Sequence, residues 1–148
     1  MAKSLLRLMQ SPKLSELLAY KNQRVIQYYC HYHIEVTPEQ ANQLFTDLLA
    51  WLWLNVYRQL NNRRTYLFGP LLLLDDLWHA FILHTRDYYA FCIHFFDAYI
   101  HHEIETPGAE HELSAEELAD FLQDCFEHLG EEWVLRYFSS LLGNSKTD

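Results

Sequence analysis

Histidine, cysteine and aspartate side chains recur in the middle of this sequence at spacings that can do chemistry. Asp76 and His79 are three residues apart, so they share a face if the segment is helical. A carboxylate in that position can hold one imidazole nitrogen and fix its tautomer. Cys92 follows, and then the adjacent pair His101 and His102. Imidazole, thiolate and carboxylate are the groups that bind zinc and other late divalent transition metals in proteins.

A metal site is the first hypothesis that these residues support. Two antiparallel helices joined near Thr85 would bring His79 close to Cys92 or to the histidine pair. The candidate ligands of zinc, or of another divalent transition-metal ion, are His79, Cys92, His101 and His102. Asp75 or Asp76 would bind the ion directly or hold one of its ligands in place. The spacings match no zinc-finger pattern, and the HExxH motif is absent.

The same residues also fit a purely structural interpretation. Trp78 in a helical stripe is typical of a core aromatic, and Cys92 can be a small buried hydrophobic residue. His79 bonded to a neighbouring carboxylate would then belong to a buried polar network that fixes helix packing. Function would lie on the surface, on the acidic face of residues 103–132 or on exposed aromatics among the 23 Phe, Trp and Tyr residues. The partner would be a basic or apolar protein, or a second copy of the chain.

Catalysis is a third alternative. Cys92, His79 and Asp76 supply the residue types of a thiol–imidazole nucleophile. Phe91 and Phe95, however, indicate an apolar setting that disfavours the thiolate. The four glycines form no phosphate-binding loop and no oxyanion turn beside the cysteine. The sequence therefore favours a binding module over a metal- or cysteine-dependent enzyme.

The elements that must position these residues are helices. Few β-branched residues and no lasting alternation occur, so we expect an all-α fold, a compact single-domain bundle of about six helices over residues 1–148. Ser11-Pro12 is a helix start signal, and Thr37 and Ser114 each begin a capping box. Gly130 suits the end of a helix. The predicted helices cover residues 12–33, 37–61, 71–84, 85–97, 114–129 and 131–142, and a frayed tail is expected at 143–148.

Charge is unevenly distributed along the chain. The formal net charge is −9. Residues 1–74 hold eight basic and four acidic side chains, whereas residues 75–148 hold three and sixteen. The acidic half would repel nucleic-acid phosphates and tolerate a basic partner or cations. No apolar run reaches the length of a membrane span, no signal peptide is recognised, and three cysteines without a CxxC pair favour the cytoplasm. We therefore expect no nucleic-acid and no membrane partner.

The central block also resembles a known group of proteins. DDLWH at 75–79, TRDYYAFC at 85–92 and HH at 101–102 are similar to the block shared by the glycine-rich-domain-like proteins of bacteria and plants, and the likeness extends over about residues 37–138. The resemblance implies an all-helical domain and no particular reaction. It implies His79, Cys92, His101 and His102 as the site, supported by Asp75, Asp76, Trp78, Thr85 and Tyr88. The glycine-rich segment that names the group is absent from this chain.

Overall fold

Helices account for the regular secondary structure of residues 9–143, the part of the chain that this computed structural model describes. No strand occurs in that part, so the predicted all-α fold is confirmed. The α-helices are α1 (Leu14–Leu18), α2 (Gln23–Tyr32), α3 (Pro38–Leu60), α4 (Leu72–Leu83), α5 (Thr85–Phe96), α6 (Ala115–Asp124) and α7 (Glu131–Gly143). No described helix is long and apolar enough to span a bilayer. Residues 144–148 of the predicted frayed tail lie outside the described residues.

The chain divides into two compact units, Met1–Ala98 and Tyr99–Asp148. The first unit holds α1 to α5, and the second holds α6 and α7. The single domain expected from the sequence stays a prediction. Buried apolar side chains occur in both units.

Helix α3 is the centre of the first unit. It begins at the capping box predicted from the sequence, because Thr37 accepts from the backbone N–H of Gln40 and the Gln40 side chain accepts from the backbone N–H of Thr37. Without an internal glycine or proline it runs for 23 residues. It packs against α1, α2 and α4, which is why apolar residues are buried on several of its faces.

The loop that follows α3 is tied back to it by polar side chains. The indole Nε1 of Trp51 donates to the carbonyl of Tyr66 at 3.0 Å, and the Nε of Arg58 donates to the carbonyl of Arg64 at 2.7 Å. The side chain of Arg58 is almost fully buried. Its guanidinium stabilises the loop by donating to the Arg64 carbonyl, because a buried charge needs a polar partner.

The first predicted helix, residues 12–33, is wrong in its extent. The structure has two helices there, α1 and α2, and Asn22 caps the second by accepting from the backbone N–H of Val25 at 3.2 Å. Ser11 is not the N-cap of α1, since Lys13 takes that position without a side-chain cap. The apolar spacing continues across the break, so periodicity alone predicted one helix.

The second unit starts with an irregular segment and then forms two helices. Ser114 forms the predicted capping box of α6 with Glu117. The helix does not end at Asp124 but continues as a π-helical turn, Cys125–Leu129. Gly130 closes this turn with φ of 97° and ψ of 162°, a backbone conformation that essentially only glycine adopts without strain.

Candidate functional site

The polar face of α4 carries Asp75, Asp76 and His79. The helix forms because five of its twelve residues are leucines, which are good helix formers. Its buried positions are Leu74, Leu77, Trp78, Ala80 and Phe81. Helical geometry leaves the two aspartates and the histidine outside that buried stripe. Asp75 is half-buried, and the other two are exposed.

Asp75 and His79 face each other across one helical turn. The His79 Nε2 lies 3.7 Å from the Asp75 Oδ1. That separation exceeds the 2.7–3.2 Å of a good N–H···O hydrogen bond. About half of the His79 side chain, 52%, and 21% of the Asp75 side chain are exposed to solvent. The two ligand atoms are therefore close together and accessible from outside the unit.

The sequence spacing pairs His79 with Asp76, whereas the structure pairs it with Asp75. Positions four apart on a helix lie more nearly above one another than positions three apart. Asp76 is close enough to Tyr29 on α2 for its charge to act on that phenol. Burial is the main cause that raises the pKa of Tyr29, and the charge of Asp76 is the second.

Trp78 and Tyr88, both expected to support the site, contact each other inside the first unit. The indole Nε1 of Trp78 donates to the Tyr88 hydroxyl at 3.0 Å, and both side chains are buried. The ring of Trp78 also packs on Trp51 with centroids 5.3 Å apart. This bond links α4 to α5, so the two residues fix the packing that presents Asp75 and His79. Thr85, at the start of α5, is exposed.

Cys92 lies on the buried face of α5, with no exposed surface. It is close enough to Tyr20 to contribute to the raised pKa of that phenol, after burial itself and the charge of Asp87. Among the described residues, Cys92 belongs to no group of three or more converging metal-ligand side chains. The structure thus places His79 on the surface of its unit and Cys92 in the interior.

His101 and His102 belong to the second unit, in its irregular first segment. The ring of His101 packs edge-on against Tyr99 at a centroid distance of 4.7 Å, and its side chain is exposed. His102 is half-buried, and its Nδ1 lies 3.4 Å from the carbonyl of Glu103. The four-ligand site of His79, Cys92, His101 and His102 stays a prediction.

A second group of potential ligands was missed by sequence reasoning. Asp124, Glu127 and His128 each offer one ligand atom, and these atoms lie within 4.8 Å of one another. Asp124 is buried, Glu127 is exposed and His128 is half-buried. The sequence placed these residues only on the acidic face of residues 103–132, as part of a possible partner surface. Spacings of three and four residues within one helix were the signal that could have revealed it.

Comparison with known proteins corrects the resemblance inferred from the central block. No curated protein and no solved structure matches this chain. The similarity to glycine-rich-domain-like proteins is wrong, because the family model that does match has a different description, UCP032817-like. The candidate ligands therefore rest on their own chemistry and geometry. Since that model covers residues 15–127, most of the sequence, the chain belongs to the UCP032817-like family.

Proposed function

We propose that this protein is a small helical binding module that holds a divalent transition-metal ion, zinc in the first instance, on Asp75 and His79. The observation that carries the proposal is the 3.7 Å separation of Asp75 Oδ1 and His79 Nε2 on α4. One carboxylate oxygen and one imidazole nitrogen are both ordinary zinc ligands. An i, i+4 pair on a rigid helix holds them in place before the ion arrives.

Coordination geometry supports this reading of the pair. Zinc–nitrogen and zinc–oxygen bonds are about 2.0–2.2 Å long, and tetrahedral coordination places two such ligand atoms about 3.4 Å apart. The observed 3.7 Å between Asp75 and His79 differs from that value by a few tenths of an ångström. A small rotation of the half-exposed imidazole is enough to close this gap.

Charge around the pair also favours a cation. Asp76, the next residue on the exposed face of α4, adds a second carboxylate near the site. Asp76 contributes as a nearby negative charge.

The proposal leaves Cys92 out of the coordination shell. A thiol binds zinc as the thiolate, and a thiolate is costly to bury in apolar surroundings. Cys92 has no exposed surface. Two protein ligands leave two positions of a tetrahedral ion for water or for a group from another molecule. Such a site suits regulated binding, and we propose no reaction for it.

Zinc titration by isothermal calorimetry on protein without a polyhistidine tag tests this function. We expect one saturable site, and we expect His79→Ala to weaken it at least about tenfold, as losing a zinc ligand or its support does. Asp75→Asn should weaken it as well, because an amide oxygen is a poorer zinc ligand than a carboxylate. Circular dichroism and thermal unfolding of each variant establish that it is folded.

The matched control is His94→Ala, which removes an exposed histidine from α5 of the same unit. Zinc affinity that falls as much in this control as in His79→Ala would mean that the protein binds zinc through scattered surface histidines. The same titration on Cys92→Ala, His101→Ala and His102→Ala tests the ligand set expected from the sequence. A loss of binding in Cys92→Ala alone would overturn the proposal.

A further inference from the structure

An open pocket of about 410 Å³ on the first unit lies apart from α4's polar face. One lining residue, Tyr20, follows α1. The other five belong to α5: Asp87, Ala90, Phe91, His94 and Phe95. A volume of this size falls within the range of small-ligand sites, about 300–1,000 Å³. The proposed metal function uses none of these residues.

Three aromatic rings form the wall of this pocket. The Tyr20 ring lies 4.9 Å from Phe91 and 5.9 Å from Phe95, edge-on to the latter, and Phe91 lies 5.2 Å from Phe95. Tyr20 and Phe95 are only partly buried, so parts of their rings are open to a ligand. Aromatic faces attract cations through the ring quadrupole when the cation lies within about 6 Å of the centroid.

A carboxylate stands beside the rings. The Asp87 Oδ2 accepts from the Asn22 side chain at 3.1 Å, and Asn22 also donates to the Tyr20 hydroxyl at 3.1 Å. Asn22 therefore fixes the carboxylate and the phenol relative to each other. Among the described side chains, no hydrogen bond or ion pair engages the second oxygen of Asp87, Oδ1. The Asp87 carboxylate thus places a negative charge beside the aromatic rings of the pocket.

The only cation beside Asp87 in the described part of the chain is weakly held. The Nε of Arg24 lies 3.7 Å from Oδ2, and 74% of the Arg24 side chain is exposed. An exposed ion pair of this kind contributes about 0–1 kcal/mol. A ligand cation that also contacts the rings can compete with Arg24, because it gains the aromatic contacts that Arg24 is not shown to make.

We propose that this pocket binds an ammonium group, with Asp87 as its counter-ion and Tyr20 and Phe95 as its aromatic wall. The ammonium group comes either from a small quaternary amine or from a lysine side chain of a partner protein. Both present the same charge to the same residues.

Titration of the ¹⁵N-labelled protein with choline, followed by NMR, tests the proposal. The neutral isostere 3,3-dimethyl-1-butanol has the same shape without the charge. We expect choline to shift the amide signals of α5 around Asp87 saturably and the isostere to bind at least about tenfold more weakly. Equal affinity for the two would overturn the proposal, because the pocket would then be only an apolar groove.

Variants assign the effect to the pocket. Asp87→Asn should lower choline affinity about tenfold while keeping the shape of the side chain. Phe95→Leu should lower it about threefold to tenfold through loss of the aromatic face. Asp97→Asn is the matched control, since it removes one exposed carboxylate from the end of the same helix and asparagine tolerates the positive φ of 57° found there. Unchanged affinity in Asp87→Asn, or an equal loss in Asp97→Asn, would contradict the proposal.

Two further arms complete the test. Arg24→Gln removes the competing cation and should tighten choline binding about twofold to fivefold, whereas weaker binding would contradict the assignment of Asp87 as the counter-ion. Nα-acetyl-lysine methylamide presents a lysine side chain as a partner protein would. Tighter binding of this compound than of choline supports an ammonium group from a protein, and tighter binding of choline supports a free quaternary amine.

Discussion

The indole of Trp78 donates a 3.0 Å hydrogen bond to the hydroxyl of Tyr88 in the interior of the first unit. Because this bond joins α4 to α5, it contributes to the packing that holds the polar face of α4 in place. Tyr88→Phe removes the bond and leaves the ring. We expect a loss of about 1–2 kcal/mol in the free energy of unfolding, measured by urea denaturation.

Tyr89→Phe is the matched control for that measurement. It makes the same chemical change one residue away on α5, at an exposed position. Its free energy of unfolding should stay within about 0.5 kcal/mol of the parent protein. Equal losses in the two variants would show that the buried bond has no particular role.

Truncation of the cap of α3 should destabilise the first unit. Thr37 accepts from the Gln40 backbone N–H at 3.1 Å at the start of this 23-residue helix. Thr37→Ala loses the acceptor and should cost about 1 kcal/mol of unfolding free energy. Thr37→Ser keeps an acceptor oxygen and should recover most of the loss. A serine variant as unstable as the alanine variant would argue against the cap.

Alkaline pH should destabilise the protein through Tyr29. Burial raises the pKa of Tyr29 above its ordinary value of 10.0 in the folded chain. Above about pH 10 the unfolded chain therefore loses this proton before the folded chain does, so the unfolded state gains stability as pH rises. The stabilising contribution is fully present below pH 10 and is lost as pH rises through the raised folded pKa.

Urea denaturation at about pH 8 and about pH 11 measures this dependence. Tyr29→Phe should show a smaller loss of unfolding free energy between the two pH values than the parent protein. Tyr32→Phe changes an exposed tyrosine of the same helix and serves as the control. The expectation would be contradicted if the free energy of unfolding had the same pH dependence in Tyr29→Phe as in the parent protein.

Substitution of Gly130 should destabilise the second unit. A Cβ at this position would meet no atom within 4 Å, so a Gly130→Ala variant has room for the methyl group. The cost is instead conformational, about 1–3 kcal/mol, because the backbone has φ of 97° and ψ of 162°. Amide hydrogen exchange in α6 and α7 should accelerate accordingly. Gln123→Ala, at an exposed position on α6, should change exchange little, and equal protection in both variants would rule out the conformational cost.

Helix boundaries could be predicted where a capping motif marks them. Thr37 and Ser114 each start a helix with the reciprocal side-chain bonds that their sequences predict. The break between α1 and α2 was missed because its signal is one residue, Asn22, and no glycine or proline accompanies it. The π-helical turn after α6 was also missed, since its side-chain pattern is that of a continuing helix.

The polar face of α4 could be predicted from the sequence, whereas the ligand set itself stays a prediction. The sequence identified the Asp-Asp-x-x-His segment as the polar part of a helix, and His79 does lie beside a carboxylate there. It did not identify which carboxylate, because spacings of three and four residues both place side chains on one face. The pocket beside Asp87 could not be predicted, since it depends on Tyr20 and Asn22 meeting α5 across more than sixty residues of sequence.

X-ray absorption at the zinc K-edge on the zinc-loaded protein tests the central claim most directly. Binding at Asp75 and His79 predicts a first shell of nitrogen and oxygen atoms at about 2.0–2.2 Å with the outer-shell scattering of an imidazole, and loss of that imidazole signal in His79→Ala. A sulfur neighbour at about 2.3 Å would place the ion on a thiolate instead, and would contradict the account.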